Sequence, residues 1–70
     1  MAYTKADLEM AERHIAQGKR HIREQVDRIE LLRSGGHATE KAEDLLRLFL
    51  DTLAQHERHR DLISEELKAT

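Results

Sequence analysis

The 70 residues include no cysteine, no proline and no tryptophan. Without cysteine, neither a disulfide nor a thiolate zinc site can staple so short a chain, and nothing marks it for an oxidising compartment. A cytoplasmic protein is the expectation. Without proline, no position forces a helix to break. Aromatic residues are down to 3%, one Tyr and one Phe, so a stacking platform for bases is nearly absent. The longest apolar run, Leu48-Phe49-Leu50, is far too short to span a bilayer, and the polar start lacks a signal-type apolar segment. Glycine occurs three times, twice side by side at Gly35-Gly36 near the chain midpoint.

What is abundant is charge, 37% of residues with both signs interspersed and a net of −2. That mixture is the composition of helical bundles rather than of disordered chains. Thr4 can cap a helix with Asp7 returning the bond, and Tyr3 and Leu8 have hydrophobic-staple spacing. From there Leu8, Ile15, Ile22 and Ile29 hold one seam position of a heptad, and Ala11, Gly18, Gln25 and Leu32 hold the other. Arg33 suits the negative end of the helix dipole, and Gly35 is the expected left-handed cap. A second seam runs through Ala42, Leu46, Phe49, Leu53, His56, Arg60, Ile63 and Leu67, opened by Thr39 with Glu40, Glu43 and Asp44. Leu45, Leu48 and Leu62 form a stripe beside it, while Leu50 and Leu31 lie off both.

The pattern predicts a single all-α domain. Helix one covers about 4–33, the turn 34–39, and helix two about 40–68. Equal arms and a short turn imply an antiparallel two-helix hairpin. Folding back about the turn is expected to pair residues whose numbers add to roughly 73. Ala11 then meets Ile63, Gly18 meets His56 and Gln25 meets Phe49, setting small against large. Two helices cannot enclose the apolar band of Leu45, Leu46, Leu48, Phe49, Leu50 and Leu53. These residues are therefore the expected interface of a homodimeric four-helix bundle.

The stretches Ala11-Glu12-Arg13-His14-Ile15, Gly36-His37-Ala38-Thr39 and Ala42-Glu43-Asp44-Leu45-Leu46 carry a resemblance. With Phe49-x-x-Thr52-Leu53 and His59-Arg60-Asp61-Leu62-Ile63, the chain resembles short, uncharacterised helical-hairpin proteins of soil alphaproteobacteria. The resemblance implies a small bacterial helical protein and transfers no functional residue. In architecture alone the chain is also similar to Rop-type plasmid hairpins, which dimerise and bind paired RNA loops. That likeness concerns topology, which does not carry function.

Five histidines stand out. His14 and His21 share a face of helix one, and His56 and His59 share one of helix two. The fold-back sum puts His14 near His59, making His14, His56 and His59 candidate ligands for a divalent metal such as zinc, copper or nickel. The Glu-x-x-His signature of bundle metal sites is absent, and ordinary surface histidines account for the pattern as well. At the seam opposite Gly18, His56 either fills the space the glycine leaves, which would make the fold acid-sensitive, or joins Gln25 and Arg60 in fixing register.

A second candidate is basic. Arg13, Lys19, Arg20 and Arg23, with Arg58 folded alongside, would suit phosphates if they formed one girdle. Catalysis has no support: no cysteine nucleophile, no triad, no phosphate loop and no expected cofactor. The sequence thus points to a non-enzymatic homodimer acting as a protein–protein interaction or regulatory module. A nucleic-acid modulator stands second and a histidine-based metal binder third.

Overall fold

In a computed structural model, which describes residues 2–69, two helices account for nearly the whole chain: α1, Lys5–Ser34, and α2, Glu40–Ala69. They pack antiparallel in a rod of 55 × 15 × 14 Å, with no strand among the described residues. Neither helix is long and apolar enough to cross a membrane.

Helix α1 opens on the expected capping box. The Asp7 N–H donates to Thr4 Oγ1 at 3.2 Å, and the Thr4 N–H donates to Asp7 Oδ2 at 2.8 Å. Two of the four orphan donors of the first turn are thereby satisfied. The residues of α1 shielded from solvent are Leu8, Ala11, Ile15, Gly18, Ile22, Gln25, Ile29 and Leu32, the two seam positions of the heptad and nothing else. Helix α2 hides its own seam likewise, from Ala42 to Leu67, with Glu43, Ala54, Glu57 and Ser64 also half-covered.

At the turn the glycine roles are exchanged. Gly35 keeps φ at −84°, and Gly36 takes the left-handed φ of +75°. The Gly36 N–H donates to the Arg33 carbonyl at 3.1 Å and the His37 N–H to the Leu32 carbonyl at 2.9 Å. This pair of bonds is a Schellman motif, which sets the left-handed residue one position later than a helix ending at Arg33 implies. A Cβ at Gly36 would meet open space, so the demand for glycine is one of backbone angle, worth about 1–2 kcal/mol. An Arg33–Glu43 ion pair at 3.4 Å bridges the arms just inside the turn. Across it, the Thr39 carbonyl accepts the Glu43 N–H at 2.8 Å, opening α2.

The core is thin: Ala11, Ile15, Ile29 and Ile63, with one polar member, Gln25. Gln25 is 5% exposed and donates from Nε2 to the Ala42 carbonyl at 2.9 Å. That carbonyl has a second lone pair to offer beyond its helical bond, so the amide is satisfied at no cost to the ladder. A side-chain bond from one arm to the backbone of the other marks one register over its neighbours, because sliding by a turn would strand a buried amide.

Candidate functional site

The fold-back sum is off by about one turn at mid-length. Leu53, not His56, meets Gly18: a Cβ on that glycine would lie 3.4 Å from Leu53 Cδ1. His56 instead turns its ring toward His14, with centroids 5.3 Å apart and planes tilted by 49°. The acid-sensitive filler role for His56 therefore loses its premise. Because 3.4 Å is an ordinary van der Waals contact, Gly18→Ala is expected to stabilise the hairpin by about 0.5–1 kcal/mol. Urea unfolding would check it, and a lower midpoint would mean that Leu53 cannot accommodate the methyl.

Further along, His21 lies 6.0 Å from the Phe49 ring, and His59 sits edge-on to Tyr3 at 5.8 Å. His14, Gln17, Gly18, His21, Thr52 and His56 thus border one groove of about 150 Å³, floored by Phe49 and Leu53. Toward the open end it continues into a cleft among Tyr3, Asp7, Met10, His14, His59 and Ile63. Toward the turn it meets a hollow lined by His21, Glu24, Gln25, Arg28, Leu45 and Phe49. All three lie on one broad face of the rod.

Helical spacing completes the membership of that face. Met10, His14, Gln17 and His21 follow one another by fours and threes on α1, as do Leu45, Leu48, Thr52, Gln55, His59 and Leu62 on α2. Both series are free of formal charge over these stretches, and charge returns only at their ends, with Asp7, Glu24 and Arg28 on α1 and Lys41 and Glu66 on α2. Met10, Leu45, Leu48 and Leu62 are all exposed there. The opposite face is charged, with Glu12, Lys19, Arg23 and Arg33 on α1 and Glu43, Arg47, Glu57 and Asp61 on α2. Arg47 pairs with Asp44, and Arg60 with Asp61 at 2.7 Å.

This two-sidedness sorts the expected site residues. Leu45 and Leu48 stand on the leucine-bearing face, with Leu46, Phe49 and Leu53 half-buried in the seam beneath it. Leu50 emerges on the charged side, separated from the other leucines by the seam itself. The basic girdle does not assemble. Arg13 and Arg20 project from the outer side of α1, farthest from the seam, and Arg58 from the outer side of α2, facing the other way. Lys19 and Arg23 flank the charged face. His14, His56 and His59 do not converge as three ligands, and among the described residues no group of three or more His, Cys, Asp or Glu could hold a metal ion. The heptad alone already separates Leu50 from Leu45 and Leu48. What it does not supply is the partnering of the histidines, which depends on the register.

Against known proteins, the chain matches no family model, and no curated protein or solved structure aligns with it significantly.

Proposed function

We propose that the chain is a non-enzymatic interaction module that works as a homodimer, two hairpins closing a four-helix bundle over the leucine-bearing face. The observation that carries this reading is surplus surface. A compact protein of 8.2 kDa exposes about 4,500 Å². The single hairpin exposes 5596 Å². The excess, roughly 1,000 Å², is of the order that each partner buries in a stable protein–protein interface, about 800 Å². The face with the exposed leucines carries its formal charges only toward its ends, at Asp7, Glu24 and Arg28 on α1 and Lys41 and Glu66 on α2, so a second copy seated over its middle strands no ion there. In such a bundle the charged sides point outward and remain for a further macromolecular partner, most simply another protein.

A nucleic-acid role draws little from the geometry, since the arginines that would serve it point in opposing directions. Sedimentation equilibrium across a dilution series is the test. A mass of two chains at micromolar concentration is expected. A cooperatively folded monomer at that concentration would overturn the reading.

A further inference from the structure

The dimeric module leaves one question open: what the histidines do in the middle of a face whose exposed large apolar residues are Met10, Leu45, Leu48 and Leu62. Apolar packing alone would be served better by more leucine. Instead His14 of α1 and His56 of α2 meet ring to ring across the groove at 5.3 Å.

That spacing has a chemical meaning. A tetrahedral zinc ion with metal–nitrogen bonds of about 2.0 Å holds the centres of two coordinated imidazoles roughly 5 Å apart. The rings are inclined to each other by 49° rather than stacked face to face. Gln17 and Thr52 border the same groove and offer oxygens for the outer ring N–H groups, the kind of contact that fixes the tautomer of a ligating histidine. Two ligands are half of a tetrahedral set, and among the described residues no third acid, thiol or imidazole of the same chain completes it.

A second copy does. His14 lies about 8 Å from the middle of α1, and His56 about 2 Å from the middle of α2 on the same side. A two-fold axis through the pair therefore overlaps most of the length of two hairpins, and symmetry sets each pair against its own copy. We infer that His14 and His56 form a half-site for an imidazole-binding divalent metal of the zinc class, completed across the dimer axis by the same two residues of the second copy. The inference rests on the dimeric reading above. It makes the metal a clamp that ties α1 to α2 and one hairpin to the other. No acid is needed, because neutral imidazoles suffice for zinc and its neighbours in the series.

The experiment begins with chelator-treated protein, whose mass by sedimentation tests the dimer independently of any metal. Zinc chloride is then titrated while heat of binding, melting temperature and dimer dissociation are followed. One zinc per two chains is expected, with a higher melting temperature and a dimer at least ten-fold tighter. His14→Ala and His56→Ala should each lose all three responses. His14 is exposed and His56 only half-buried, so both variants fold. His37→Ala, at the turn, should keep them. A chelated dimer indifferent to zinc would overturn the metal site and leave the module standing. One zinc per chain, or loss of the response in His37→Ala, would overturn it as well.

Discussion

Replacing Ile63 by alanine is expected to cost about 2–5 kcal/mol, the range for removing most of a large side chain from a packed interior. Ile63 is the most deeply buried large residue described, at 1% exposure, and it packs opposite Ala11, which is too small to expand into the gap. Its neighbours Tyr3, Met10, His14 and His59 already line an open cleft, so the vacancy would connect the core to solvent. A fold of this length has roughly 3.5–10 kcal/mol to lose. The variant should therefore melt at least ~10 °C lower and be partly unfolded at 37 °C. Ile63→Val, which removes one methyl group, should cost about 0.5–1.5 kcal/mol. Leu31→Ala makes the contrast, since Leu31 is 76% exposed and its loss should stay within about 0.5 kcal/mol. Equal losses at positions 63 and 31 in urea denaturation would show that the core lies elsewhere.

The second large effect is on association. Leu45 and Leu48 are 39% and 58% exposed in one hairpin, so much of each side chain remains to be covered by a second copy. Changing both to glutamate removes that apolar area and places four carboxylates in the interface of a symmetric dimer. The dimer should weaken by at least about 100-fold, or ~2.7 kcal/mol. Helix content should hold, because glutamate and leucine have similar helix propensities. Leu50→Glu is the discriminating control. It adds one such charge to the same helix, but on the already charged side, and should leave the dimer intact. Dissociation constants from sedimentation would decide. A double variant that still dimerises, or a Leu50→Glu that does not, would show that the partner sits on a different face.

Much of this was legible in the sequence, for physical reasons particular to each element. The seam of α1 could be read directly, because a seven-residue repeat fixes which residues share a side whatever the partner does. The capping box could be read because Thr4 and Asp7 act on their own turn. What could not be read was the relation between the arms. Gly36 rather than Gly35 turns left-handed because α1 runs on through Ser34, a boundary that depends on where the Leu32 and Arg33 carbonyls find donors. The pairing of His14 with His56 follows from Leu53 occupying the space above Gly18, a packing choice between two side chains with equal claim by spacing. The girdle of arginines failed for a simpler reason. Nearness along the folded chain says nothing about direction, and residues on the outer sides of two helices face apart.

The contrast between the two broad sides of the rod also limits growth. A surface that pairs with its own copy is consumed by one pairing, and what remains is studded with carboxylates and guanidinium groups. Val26 and Leu50, the apolar residues left among them, are isolated and too few to recruit a third hairpin. On the proposed dimer, self-association would therefore close at the first step, where a rod greasy on both sides would go on to filaments.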